Sequence, residues 1–166
     1  GVAGDNLWRY DSPSFSGLTV TAGIVPHANT GDGNDSSWAL MYDASSMVDG
    51  LAVGYGQAED GDTTEAETFY VTYTMGGFTF GYQDTTNDVA AATGSDEEAQ
   101  HMGVSFAVNE DLSVSLGRQD VEIGTNADEE ENSGISASYT MGSMKIAMFA
   151  NKSDNNGGTS GKSAEA

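Results

Sequence analysis

Large apolar side chains fall on every second residue through most of this chain, and that period dictates the backbone more firmly than any other feature of the sequence. Leu18, Val20, Ala22 and Ile24 alternate with Thr19, Thr21 and Gly23; Trp38, Leu40 and Tyr42 with Ala39, Met41 and Asp43; Leu51, Val53 and Tyr55 with Ala52, Gly54 and Gly56. Phe69, Val71, Tyr73 and Met75 interleave with Thr68, Tyr70, Thr72 and Thr74, and Phe78, Phe80 and Tyr82 with Thr79, Gly81 and Gln83. The second half keeps time: Met102, Val104 and Phe106 against His101, Gly103 and Ser105; Leu112, Val114 and Leu116 against Ser113, Ser115 and Gly117; Ile135, Ala137 and Tyr139 against Gly134, Ser136 and Ser138. Successive side chains of a strand point to opposite faces, so each stretch is a β-strand with one large apolar face and one small or polar face. Leu7, Met41, Tyr70 and Phe149 are large side chains on the polar face.

The alternation predicts strands near 6–12, 17–25, 36–44, 50–58, 67–75, 77–84, 99–108, 111–121, 133–141 and 143–152, with Ser163 to Ala166 reading as the start of another. Their connections are expected to alternate strictly. Short turns fall at 13–16, 45–49, 76, 109–110 and 142; long acidic loops fall at 26–35, 59–66, 85–98, 122–132 and 153–162. Hairpins of this kind form an antiparallel up-and-down sheet.

One face suits hydrocarbon and the other suits water. No apolar run approaches the roughly 20 residues a membrane helix needs, but a transmembrane β-barrel escapes that test because only alternate residues meet lipid. A soluble sheet with its apolar face turned inward is the alternative. Its solvated face would carry Lys, Glu, Arg and Gln, whereas the polar face here is Gly, Ser, Thr and Ala. The apolar face carries one basic residue, Arg118, placed beside a long loop where a lipid-facing charge costs least. Trp38 and Phe69 sit toward the long-loop ends and Tyr42, Tyr73 and Phe78 toward the short-turn ends, as two interfacial girdles require.

Charge narrows the partners. Lys+Arg 5 against Asp+Glu 26 leaves a net charge of −21, which disfavours nucleic acid, since phosphate contacts need Lys and Arg. The acid is expected in the loops. With no Cys there is neither a disulfide framework nor a thiolate metal site.

Arg9-Tyr10-Asp11-Ser12-Pro13-Ser14-Phe15-Ser16-Gly17, followed by Leu18-Thr19-Val20, resembles a strand, periplasmic turn and strand of Gram-negative general porins. The resemblance implies an outer-membrane barrel of sixteen strands with a constriction loop after the fifth. Residues 1–166 are then one porin-like region, the sixth through fifteenth strands and the beginning of the sixteenth, with Gly1 to Asp5 as the tail of that loop. The expected fold is an all-β, antiparallel up-and-down transmembrane β-barrel, present as a fragment of about ten strands in a curved sheet or incomplete barrel. A self-contained closed barrel of ten strands is the structural alternative. The resemblance further implies small hydrophilic solutes and ions as permeants, outer-membrane lipid as surroundings, and a possible homotrimer.

No catalytic constellation, cofactor motif or metal-ligand spacing emerges. A rim-active barrel enzyme would need His27 beside a loop acid. Gly31-Asp32-Gly33-Asn34-Asp35 and Glu59-Asp60-Gly61-Asp62 hint at calcium, but neither has EF-hand spacing, and Asp128 to Glu131 reads as a mobile acidic loop. A passive, weakly cation-preferring pore needs only a wide lumen and biasing charges. Its lining candidates are Arg9, Asp11, Asp43, Tyr70, Gln83, His101, Lys145 and Asn151. Arg9 either contributes to a transverse field at the constriction or simply pairs with Asp11. The rival function is a soluble or surface-attached acidic β-protein that binds a partner or calcium through its loops.

Overall fold

The computed structural model describes residues 6–26, 33–61, 63–90, 96–126, 128–161 and 163–165. They form one antiparallel sheet of eleven strands in sequence order: β1 (Trp8–Asp11), β2 (Leu18–Val25), β3 (Asp35–Asp43), β4 (Leu51–Asp60), β5 (Thr64–Met75), β6 (Phe78–Val89), β7 (Glu97–Ala107), β8 (Leu112–Ile123), β9 (Glu130–Met141), β10 (Met144–Asp154) and β11 (Ser163–Glu165). Each strand contacts only its neighbours in sequence. The sheet is therefore open, with β1 and β11 as its edges, and the closed ten-strand barrel is not what forms. His27, Gly1 to Asp5, Gly31, Asp32 and Asp62 lie outside the described residues.

Register is continuous across the sheet, so the two-residue period carries through without a slip. Val71 pairs with Val53 and Tyr82, Val104 with Phe80 and Leu116, and Ile135 with Leu116 and Ala150. One face thus collects the large apolar side chains of every strand. The glycine-led two-residue turns suit such tight hairpins: Gly76 and Gly142 both take φ of 60°, the positive first-position angle of a type II′ turn.

There is no second layer and hardly a core. Among the described residues only Val25, Ala44, Ala99 and Val121 are buried hydrophobics, and no side chain is fully buried. Phe69, Phe80, Leu116, Ile135 and Met148 stand exposed on the apolar face. A water-soluble sheet would cover that face, because burying each such side chain is worth about 1.5–3 kcal/mol.

The expected strict alternation of short and long connections does not hold. The link between β4 and β5 is only residues 61–63, whereas that between β3 and β4 is 44–50. The predicted loops at 59–66 and 85–98 shrink because Glu59 pairs with Glu65, Glu67 with Thr86, and Asn87 with Glu97. Where both faces turn polar, a hydropathy period vanishes although the backbone ladder continues.

Single-layer packing predicts a sharp asymmetry between adjacent residues of β7. In the intact protein folded into lipid vesicles, Val104→Arg lowers the unfolding free energy by about 2–4 kcal/mol, while Ser105→Arg costs less than half of that. Urea titration followed by tryptophan fluorescence measures both.

Candidate channel wall

The polar face is the candidate site, and its side chains fall into rows set by strand register. One row crosses the sheet through Met41, Gly54, Tyr70, Gln83, His101, Gln119 and Asn132. The adjacent row runs through Asp43, Ala52, Thr72, Gly81, Gly103, Gly117, Gly134 and Asn151. All eight lining candidates lie on this face. Tyr70, Gln83 and His101 are consecutive in the first row; Asp43 and Asn151 end the second. Arg9 and Asp11 sit on β1 at one edge, and Lys145 lies opposite Thr140 near a short turn.

Their local chemistry differs. Arg9 is held by Asp11, its Nε donating at 3.0 and 2.9 Å and its Nη2 at 2.8 Å, so pairing with the neighbouring carboxylate is the arrangement present. Asp43 is used by a turn, its Oδ1 accepting from the Ser45 amide at 2.9 Å. Gln83 donates to Thr85 at 3.1 Å. His101 and Gln119, directly opposite one another, have no side-chain hydrogen-bond partner among the described residues. No carboxylate shares their row, so His101 has no acid to form a catalytic pair. Among the described residues no three His, Cys, Asp or Glu side chains are grouped to hold a metal ion.

Tyr70 is shaped by what faces it. Gly54 is its partner on β4, and a methyl group at Gly54 would lie 2.2 Å from Tyr70 Cε1 and 2.5 Å from Cζ. The ring leans across β4 into space that only glycine leaves. Leu7, Met41 and Tyr70, large side chains of the polar face, line one hollow of about 450 Å³ with Gly23, Ala39 and Gly56.

The charge distribution corrects the expectation that acid is confined to loops. Glu59, Glu65, Glu67, Asp84, Asp88, Glu98, Asp120, Glu122, Glu131, Asp154 and Glu165 all lie in strands, near their long-loop ends. By register every one of them shares the apolar face. They form a carboxylate belt bordering the hydrocarbon-like band. Trp38 Nε1 donates to Gln57 Oε1 at 3.2 Å and Tyr82 Oη to Asp84 Oδ2 at 2.9 Å, as side chains with an apolar body and a polar tip do at such a boundary. Arg118 sits in the belt, bridged to Asp120 at 2.9 Å and Glu131 at 3.4 Å. Asp128 to Glu131 is no free loop: Glu130 and Glu131 belong to β9, and Glu130 accepts from the Gly157 amide at 2.6 Å.

The polar face is nearly uncharged by contrast. From β4 to β8 its acids are Asp60 and Glu97, both at strand ends, and it carries no Lys or Arg. Sequence reasoning overlooked Gln119 and Asn132. Gln119 lies one step beyond the last clear apolar alternation, and Asn132 was assigned to a loop; extending the parity of Ser113, Ser115 and Gly117 finds the first.

The Gly54 and Tyr70 fit is testable by a double-mutant cycle. Gly54→Ala destabilises the intact protein by about 1–3 kcal/mol through overpacking, and in a Tyr70→Ala background the same change costs under about 1 kcal/mol. Thermal unfolding in detergent reads the difference.

Comparison with known proteins accords with this wall. Structurally similar chains include an anion-selective porin from Comamonas acidovorans (TM-score 0.68, 15% identity, covering 89% of this chain and 47% of that one). OmpT, an outer membrane protein of Vibrio cholerae, matches at TM-score 0.65 and 18% identity over 89% of this chain and 53% of its own. The chain thus spans about half the length of these barrels. No curated protein sequence matches it. The family model of Gram-negative porins matches residues 1–160, and the chain therefore belongs to the Gram-negative porin family, proteins of the bacterial outer membrane.

Proposed function

We propose that the protein forms a water-filled channel for passive diffusion of small hydrophilic solutes and ions, with the polar face as its lumen wall. The observation that carries this reading is the two-sidedness of a single layer. One face is an uninterrupted apolar band bordered by carboxylates; the other is chiefly Gly, Ser, Thr, Ala and amides, with its buried apolar residues Val25, Ala99 and Val121 confined to the long-loop end. An open sheet with two edges encloses nothing alone, so we take the rest of the wall to come from further strands of the same protein, with residues 1–166 as one porin-like region. Arg9, Asp11, Asp43, Tyr70, Gln83, His101, Lys145 and Asn151 are lumen residues in this reading. A homotrimer is the assembly that family membership favours, and chemical cross-linking in native membranes tests it.

Selectivity is a weak preference for cations. The belt of acid lies on the far side of the wall from the lumen, where it contributes little to the pore. Asp35, Asp60, Glu97 and Glu130 instead lie on the polar face at the long-loop ends, near enough to one mouth to act within a Debye length of about 8 Å. Sieving by width does the rest, with no reaction catalysed.

Planar-bilayer recording of the intact protein tests both parts. Stepwise conductance is expected, with a small reversal potential of cation-selective sign in a potassium chloride gradient. Asp60→Asn with Glu97→Gln moves that potential toward zero. A chloride-favouring potential overturns the cation preference, and absence of conductance overturns the channel.

A further inference from the structure

The row that crosses the polar face from Met41 to Asn132 gathers long amide, imidazole and phenol side chains that donate and accept, where the uncharged row through Thr74, Thr79, Ser105, Ser115 and Ser136 has only short hydroxyls. On the lumen reading, we infer that Tyr70, Gln83, His101, Gln119 and Asn132 form a binding track for neutral, polyhydroxylated solutes of the sugar class. Consecutive members sit opposite one another on β5 to β9, about 4.8 Å apart from strand to strand. Amides and a neutral imidazole each offer a donor and an acceptor, which matches hydroxyl groups that do both. Among the described residues His101 and Gln119 have no other hydrogen-bond partner, Gln83 keeps its carbonyl oxygen after donating to Thr85, and Asn132 keeps its own after donating to Glu130 at 2.8 Å.

Tyr70 supplies the complementary element. Its Cε1–Cζ edge lies over Gly54, and the half-buried side chain leaves part of the ring accessible on the polar face. The electron-rich face of an aromatic ring attracts the positive C–H groups that a sugar ring presents on its own faces. Hollows of about 450 and 550 Å³ border the track, the first touching Met41 and Tyr70, the second His101, Gln119 and Asn132. Both are within the size range of small-molecule sites. Beside the track the wall is bare, since a methyl group at Gly81 or Gly117 would meet nothing nearer than 4.0 and 3.8 Å respectively. Ions gain little from Tyr70 to Gln119, which carry no carboxylate; the one at the end of the track, Glu130, is held by Asn132 and the Gly157 amide, and a purely apolar solute would leave the amides unpaired.

The test uses the intact protein in planar bilayers at one fixed pH, with maltose as the neutral probe and gluconate and glucosamine as charged ones. Maltose is expected to reduce ion current in a saturable manner at concentrations where the charged probes do not. Gln119→Ala and Tyr70→Ala each raise the half-blocking concentration about two- to tenfold, with block read as a fraction of each variant's own open-channel current, and Tyr70→Phe retains wild-type block. Should Tyr70→Ala not insert, Gln119→Ala and Tyr70→Phe carry the comparison. Channels that conduct but show no maltose block, or a block indifferent to these variants, overturn the track and leave the channel standing. A protein that does not conduct overturns both.

Discussion

Backbone hydrogen bonding is the interaction on which everything else in this molecule rests. With no fully buried side chain among the described residues, the fold is not organised by a core; it is organised by ladders that run unbroken from β1 to β11. A hydrocarbon surrounding makes such ladders obligatory, because a spanning segment has no water to satisfy its amides and carbonyls. Continuous register is therefore required. A slip of one residue in any strand would turn its Phe, Val and Leu side chains into the lumen and its Thr and Ser side chains into lipid.

That constraint explains what was legible in the sequence. Wherever one face is apolar and the other small, as from Phe69 to Met75 or from Leu112 to Leu116, the period of two identifies the strand and assigns its faces. Arg9, Tyr70, Gln83 and His101 follow by parity alone. The signal ends where both faces become polar, so the ends of β4 to β7 around Glu59, Glu65, Thr86 and Glu97 resembled loops. Their Thr and Val content, with Thr64, Thr85, Thr86 and Val89 on the tips, is strand chemistry that a hydropathy contrast does not register. Contacts set by a third dimension were also hidden. Nothing local to Gly54 indicates that it accommodates a ring sixteen positions away.

The net charge of −21 looked like a property of loops and hence of the pore entrance. Register divides it differently. Most strand carboxylates share the apolar face, where like charges oppose one another directly: Glu59 with Glu65, Glu98 with Glu122, Asp120 with Glu131. Such pairs destabilise a sheet in water, and among the described residues the cations on that face are Arg118 and Lys152, each bridged to a neighbouring aspartate. The lumen side is left almost neutral. Overall charge is thus a poor guide to pore selectivity when the wall separates two environments.

The belt also fixes how deep the wall can sit. Phe69 to Met75 extends roughly 20 Å along β5 at about 3.4 Å per residue, and the next outward residue beyond Phe69 is Glu67. Moving the sheet by one outward position, about 7 Å along the strand, would carry Glu67, Glu98 and Glu122 into hydrocarbon together, since register places them in a single row with Thr86. The same shift would lift Met75, Phe78 and Met141 out of it at the opposite end. Both displacements cost free energy in the same direction, one through desolvated carboxylates and the other through exposed apolar surface. Side-chain parity therefore does more than separate lumen from lipid: together with the boundary between Phe69 and Glu67, it gives the wall one preferred height.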